Sequence, residues 1–483
     1  MSRKLLARDT FKPATTLNLL AAAWIQFQVH DWFEHDSDEK RELEVPIAED
    51  DRWPHRPMRV QRTLHSSPGV PGKEPPSFSN IRSHWWDASQ LYGDDRQTCE
   101  SLRSHQGGKL LIGEDRLLPL DPRTHIDRSG MTSNWWLGLS LLHTLFTLEH
   151  NAICERLQQA HPDASDEELY QRARLVNCAL LAKIHTVEWT PAILGHPVVK
   201  IAMNANWAGI ATQKVSGLLK AIHDPELQHG IPGSETNQDG VDYALTEEFA
   251  AVYRLHPLIP DELSVRSLSD PHLHLTKSML ELAGARAREV QEAVSMEDLF
   301  YSFGLSHPGA ITLHNYPDFL RNLQPLPRQG RPTAPGPIDL ATIDILRDRE
   351  RGVPRYNAFR HALRMPRVKS FAQLTSNETW RKELEELYGD IDRLDLMVGL
   401  FAEEPPPGFG FSDTAFRVFI LMASRRLKSD RFFTSDYNAS TYTQTGLDWI
   451  ADNTMRTVLM RHYPSLKPVL EGVENAFAPW PGM

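Results

Sequence analysis

The run SNWWLGLSLLHTLFTLEHNAICERLQQA, residues 133–160, constrains the fold of this chain more than any other stretch. It is long, largely apolar and lacks strand-type alternation, so it reads as a buried helix. A helix of that kind needs other helices around it, and the chain supplies them. TTLNLLAAAWIQFQVHDWFEH has helical apolar spacing behind a threonine cap. HPDASDEELYQRARLVNCALLAKIHTVEWTPAIL opens on a good Asp-Ala-Ser-Asp cap, and TEEFAAVYRLHPLI and DTAFRVFILMASRRLKSDRFF add two more apolar helices. Strand patterns are scarce and no repeat is visible. Proline and glycine gather at 54–76 and 322–337, which read as loops because helical material on both sides must still be packed. The expectation is a mostly α fold, one large helical domain over residues 1–483.

Several function classes fall away at this point. The net charge of −11 argues against nucleic-acid binding, which needs a basic surface. Three cysteines make no disulfide framework and no metal-ligand spacing, which suits a reducing compartment. The N-terminal apolar run leads into the charged HDWFEHD without a cleavage site, so a signal peptide is rejected. No apolar run approaches the roughly 18 residues of a membrane span. The expectation is a soluble, cytoplasmic protein, with peripheral membrane contact still compatible.

The chemistry begins at WIQFQVHDWFEHD, residues 24–36. A zinc site is the first candidate, since inverted zinc-protease helices use H-x-x-E-H. Here the string is one residue longer, and on a helix His30 and His35 diverge by about 140°. Gln26 and His30, at i and i+4, do share a face. A neutral imidazole beside an amide suits proton shuttling on a small polar ligand such as peroxide; a buried histidine satisfied by its neighbours fits the same pattern. In TEEFAAVYRLHPLI, Tyr253 and His256 lie three apart on an apolar helix and so share a side. In SHWWDASQLYG, Ser83, Trp85, Asp87 and Ser89 alternate as oxygen donors do around a hard cation. IDLATIDILRDRERGVPRYNAFR is a dense polar segment without obvious helical amphipathicity.

Taken together these segments resemble the animal-type haem peroxidase superfamily, and most closely its fatty-acid α-dioxygenase branch. LEHNAIC, RDRERGVPRYN and a Tyr-x-x-His followed by PLIPD are similar to superfamily hallmarks. The branch rests on GVDYALTEEFAAVYRLHPLIPDEL, LLAKIHTVEWTPAIL and RRLKSDRFFTSDYNASTYTQTGLDWI. The matches run in family order from about residue 18 to residue 462. The resemblance implies haem b and Ca2+ as cofactors. It makes His30 the distal histidine with Gln26 beside it, His256 the proximal iron ligand, and Tyr253 the tyrosine that becomes a radical. Asp31, Ser83, Trp85 through its carbonyl, Asp87 and Ser89 would hold calcium, serine at 83 replacing the family's usual threonine. Asp344 falls where superfamily peroxidases often place an asparagine against the proximal histidine; it could equally pair with a nearby arginine. Arg347 would meet a haem propionate.

The resemblance further assigns carboxylate binding to His185, Thr190 and an arginine of SRRLKS. Arg426 is favoured over Arg425, although spacing alone does not separate them, and His185 and Thr190 could be core residues satisfied by backbone carbonyls. Arg is the right type, because its fork pairs with a carboxylate and stays charged in an apolar channel. The implied reaction is addition of O2 to Cα of a fatty acid, activated by peroxide. The 2-hydroperoxy acid then decarboxylates to an aldehyde one carbon shorter. A hydrogen next to a carboxylate is only weakly acidic, so a radical route avoids placing a carbanion beside a negative charge. A plain haem peroxidase would need His30, Asp31 and His256 but not Tyr253, His185, Thr190 or Arg426. A haem- or calcium-stabilised binding protein without turnover would need little of the polar equipment on the two faces.

Overall fold

The computed structural model describes residues 1–209, 230–323 and 337–482, except positions 52, 55, 71–72, 74–75, 271 and 273. The helices that frame the core are α1 (Leu19–Trp32), α2 (Leu137–Ala160), α3 (Asp166–Ile184), α4 (Glu247–Val252), α5 (Leu340–Glu350), α6 (Asp413–Ser429), α7 (Ala439–Asp452) and α8 (Met455–His462). The apolar run at 133–160 lies at their centre. As α2 it packs on α1, α3, α7 and α8, and its residues from Leu137 to His150 are all buried. One contiguous hydrophobic cluster extends from Leu5 near the N-terminus to Trp480 near the other end.

Local chemistry explains where these helices start. Asn18, not a threonine, caps α1 by accepting from the Leu20 amide. Ser165 caps α3 in a complete capping box with Glu168, and Ser412 caps α6. α1 ends at Trp32, so His35 is not on it. That histidine instead pairs with Glu247 at 2.7 Å, which removes it from His30 for a different reason than helical phase.

Two expectations are corrected. The 54–76 region is not all loop. Met58–Thr63 pairs antiparallel with Ser37–Val45, and His65–Ser67 pairs with Ser77–Phe78. The signal was there in MRVQRT, where Met58, Val60 and Thr63 turn inward around outward polar residues. A third two-stranded sheet joins Glu262–Arg266 to His274–Ser278. The 322–337 loop lies largely outside the described residues. The dense polar segment is the second correction: it forms α5 and a further helix, Tyr356–Ala362. Its amphipathicity was hidden because the inward face of α5 carries two carboxylates, Asp344 and Asp348, beside Ala341 and Ile345.

Candidate active site

α1 presents Gln26 and His30 one turn apart, each keeping a partly exposed edge. Trp136 Nε1 donates to Gln26 Oε1 at 2.8 Å. An indole N–H can only donate, so the amide oxygen is fixed there and the amide nitrogen is turned the other way. His30 Nδ1 is enclosed without a partner. Burial pushes the His30 imidazole down to about 4, so it is neutral at physiological pH.

Asp31, the next residue, points away from His30. Its Oδ1 accepts from the Ser89 amide at 2.6 Å and the Ser89 hydroxyl at 2.7 Å, and its Oδ2 from the Ala88 amide at 3.3 Å. His84 and Ala88 adopt positive φ in the loop that carries these donors. Asp31 is buried, and burial together with the adjacent Asp87 carboxylate raises it well above the usual carboxylate range. Asp87 Oδ1 also accepts from the Ser89 amide at 3.2 Å, and Ser83 Oγ accepts from the Trp85 amide at 3.4 Å. Two carboxylates pressed together among hydroxyls and carbonyls form an all-oxygen donor set that suits a hard cation. Among the described residues no group of three His, Cys, Asp or Glu side chains forms a metal site.

Tyr253 and His256 do not share one helix. α4 stops at Val252, Tyr253 caps it, and His256 opens a 3-10 turn. Pro257 is the cause, since it lacks an N–H and disfavours helical backbone at the residue before it. The break lets His256 turn toward α5. His256 Nδ1 bonds Asp344 Oδ2 at 2.8 Å, while Arg254 bonds Asp344 Oδ1 at 2.8 Å and the Tyr316 hydroxyl donates to Oδ2 at 2.9 Å. Both readings of Asp344, against the histidine and against an arginine, therefore hold at once. Burial works to raise Asp344, but His256 and Arg254 outweigh it and hold the carboxyl below its ordinary value. The His256 side chain is 33% exposed. One ring nitrogen is tied to a carboxylate and the other is free to bind, the usual arrangement of a metal-ligating histidine. These residues fit a haem. Arg347 stands apart: Glu350 and the Gln61 carbonyl take up its guanidinium.

α6 contributes the most unusual group. Arg426 is fully buried, and none of its three nitrogens has a hydrogen-bond partner among the described residues. Its guanidinium lies over the Trp32 ring at 3.8 Å and the Trp86 ring at 4.6 Å. Burial lowers its proton affinity. Arg425, by contrast, reaches the Gln238 and Val241 carbonyls at the surface, which separates the adjacent pair. Phe419, two turns before Arg426 on the same face, stacks on Tyr253 with ring centroids 5.7 Å apart. Tyr253 is also edge-on to Trp32 at 5.4 Å. Its hydroxyl is enclosed without a partner, and burial raises it well above the usual phenol range.

His185 completes this corner. It stacks on Trp189 at 4.7 Å and accepts at Nδ1 from Trp24 Nε1 at 3.2 Å. The indole donor fixes the tautomer, so Nε2 carries the hydrogen, and it too is enclosed without a partner. Burial and then Arg426 push His185 well below its ordinary value, keeping it neutral. Thr190 is less available, because its hydroxyl donates to the His185 carbonyl at 2.9 Å. His185, Thr190 and Phe419 line one small cavity. Trp86 belongs both to that cavity and to one of about 540 Å³ bordered by Asp87, Arg174 and Asp430.

The sequence reading missed Arg254, Tyr316, Trp136, Trp32 and Trp86. Arg254 carried a signal, a lone charge between Tyr253 and His256 in an apolar segment. Tyr316 carried none.

The family model described as animal haem peroxidase matches residues 1–474. The Alpha-dioxygenase PIOX of Oryza sativa subsp. japonica is 40% identical over 491 residues, covering 99% of this chain and 79% of that protein. Alpha-dioxygenase 2 of Arabidopsis thaliana is 40% identical over 501 residues, covering 99% and 77%. The crystal structure of an Oryza sativa fatty acid alpha-dioxygenase variant with palmitic acid superposes with a TM-score of 0.92 at 39% identity, over 100% of this chain and 80% of that one.

Proposed function

This chain belongs to the animal haem peroxidase family, in its α-dioxygenase branch, and we propose that it adds O2 to Cα of long-chain fatty acids. The product is a 2-hydroperoxy acid, which loses CO2 and water to give an aldehyde one carbon shorter. The observation that carries this reading is Arg426, a fully buried cation with no hydrogen-bonded anion among the described residues. It lies close enough to Tyr253 to interact with it electrostatically, and the Tyr253 hydroxyl likewise has no partner among those residues. A buried guanidinium is costly unless paired, and a fatty-acid carboxylate is the missing partner.

His256 would hold the haem iron, with Asp344 strengthening it as a ligand. When bound, the haem would supply the oxidising power for the one-electron, one-proton oxidation of Tyr253. His30, neutral and beside the Gln26 amide, takes and returns the peroxide proton. The high proton affinity of Tyr253 keeps it a phenol until that oxidation, so electron and proton leave together. Arg426 and the Nε2 hydrogen of His185 hold the carboxylate, and Thr190 joins them when its hydroxyl turns from the His185 carbonyl. With the carboxylate fixed there, the carbon next to it lies nearest Tyr253. The tyrosyl radical takes a hydrogen atom from Cα, O2 adds to the carbon radical, and hydrogen returns from Tyr253.

Calcium at Asp31, Asp87, Ser83, Ser89 and the Trp85 carbonyl would neutralise the paired carboxylates and tie α1 to its neighbouring loop. We read residues 1–483 as one catalytic domain, acting in the cytoplasm with peripheral membrane contact to collect substrate. No helix among the described residues is long and apolar enough to cross a membrane.

The test is oxygen uptake by the haem-loaded protein with palmitic acid, with products identified by mass spectrometry. Formation of the 2-hydroperoxy acid and the one-carbon-shorter aldehyde is expected, and Tyr253→Phe should retain haem yet lose both products. Peroxide-dependent phenol oxidation without oxygen uptake would instead mark a plain peroxidase.

A further inference from the structure

α2 carries a buried polar residue that the reading above leaves without a task. His143 is fully buried on the side of α2 that meets α1. Its ring stands edge-on to Phe27, with centroids 4.8 Å apart, and tilts against Trp135 at 4.8 Å. Phe27 precedes His30 by three residues on α1, and His143 lies close enough to His30 to feel its charge. His143 is held well below its ordinary value by burial and then by the neighbouring His30.

Hydrogen-bond accounting around the two rings is incomplete in a matched way. His143 Nδ1 lies 2.6 Å from Ser129 Oγ, whereas its Nε2 is enclosed without a partner. His30 has the same deficit at Nδ1. The two nitrogens are not hydrogen-bonded to each other, and a single buried water between the rings would satisfy both. The far end of this chain sets its direction. Ser129 Oγ also lies 3.3 Å from the Gln90 carbonyl, which can only accept. The serine hydroxyl therefore donates to Gln90 and accepts from His143 Nδ1–H. His143 Nε2 is then an acceptor, and a water that donates to it can take His30 Nδ1–H on its oxygen.

We infer that His143 is a positioning residue for His30: Gln90, Ser129, His143 and one bridging water form a polarised chain that holds the hydrogen of His30 on Nδ1 and leaves Nε2 as the proton-accepting nitrogen. This rests on the proposed role of His30 and adds to it the device that selects the tautomer. An imidazole with the opposite tautomer would present a hydrogen where peroxide needs a base.

Cyanide binding to the ferric haem protein tests this without turnover, because HCN must give its proton to a distal base before the anion binds. His143→Leu should slow cyanide binding and lower kcat/KM for peroxide by about 10–100-fold, the range seen when an outer-shell partner is removed. The KM for fatty acid should not change. His143→Gln, which offers an amide oxygen to the bridging water, should recover most of the loss. In a His30→Gln background, His143→Leu should add nothing. Ser129→Ala, at a partly exposed position, provides a second variant should His143→Leu fail to fold, and should slow cyanide binding several-fold. Wild-type cyanide kinetics in His143→Leu, or an equal loss in the His30→Gln background, would overturn the inference. A wild-type protein that binds cyanide rapidly but consumes no oxygen with palmitic acid would overturn the α-dioxygenase reading and leave this one standing.

Discussion

Arg254 is largely and Arg426 fully withdrawn from water, and the molecule treats them in opposite ways. Arg254 is bracketed by Asp344 at 2.8 Å and Asp348 at 3.2 Å. Burial works against its charge, but the two carboxylates outweigh burial and raise its proton affinity. Among the described residues Arg426 has no carboxylate at hydrogen-bond distance and lies against the faces of Trp32, Trp86 and Phe249, and burial lowers its proton affinity. A compensated buried cation is part of the framework, and here it braces the residue that orients His256. An uncompensated one is a site waiting for an anion, because a fold does not otherwise keep a desolvated charge with three unpaired nitrogens.

Replacing each arginine by methionine should break that symmetry, with Arg254→Met giving the larger effect. It strands Asp348 and takes one of three partners from Asp344, so urea unfolding should show a loss of about 3–5 kcal/mol, with weakened haem retention. Arg426→Met should behave oppositely. It removes a charge without a partner, so thermal stability should hold or rise, while kcat/KM for palmitic acid falls by about 100-fold, roughly 2.7 kcal/mol of lost transition-state binding. Palmitic acid should raise the Tm of the wild type and leave that of Arg426→Met unchanged. A large loss of stability in Arg426→Met would make both arginines structural and end the distinction.

The sequence carried the two regions unequally. The Arg426 side was legible. Ala415, Val418, Phe419 and Met422 recur at helical spacing along α6 and mark a buried stripe, although spacing did not separate Arg426 from Arg425; their partners do. Asp31, Gln26 and His30 likewise follow from phase on α1. The Arg254 side was opaque for a physical reason: its core is ionic. Asp344 and Asp348 turn inward at i and i+4, which erases the hydrophobic pattern that betrays an ordinary helix. Their partners come from residues 254, 256 and 316, and no local rule reports such distant pairing. Pro257 did announce the break between Tyr253 and His256, and reading Tyr-x-x-His as one helix overlooked it.

The finest test lies inside the paired cluster, where one arginine serves two carboxylates. Asp344 also receives His256 and Tyr316 and is held low, whereas Asp348 has only Arg254 among its bonds, keeps Oδ2 unpaired, and is pushed up to about 6 by burial. The folded value for Asp348 thus exceeds the unfolded one, near 3.9. Between those values the folded state binds more protons, so this group's contribution is complete below about pH 4 and is lost as pH rises through 6. Asp348→Asn should remove that slope. The stability difference between variant and wild type should move in the variant's favour by on the order of 1–3 kcal/mol from pH 4 to pH 7, measured by urea unfolding across that range. Haem retention should stay intact, because Asp344 alone still orients His256. Should Asp348→Asn instead lose as much stability at pH 7 as Arg254→Met, the two carboxylates share the arginine equally, and His256 depends on both.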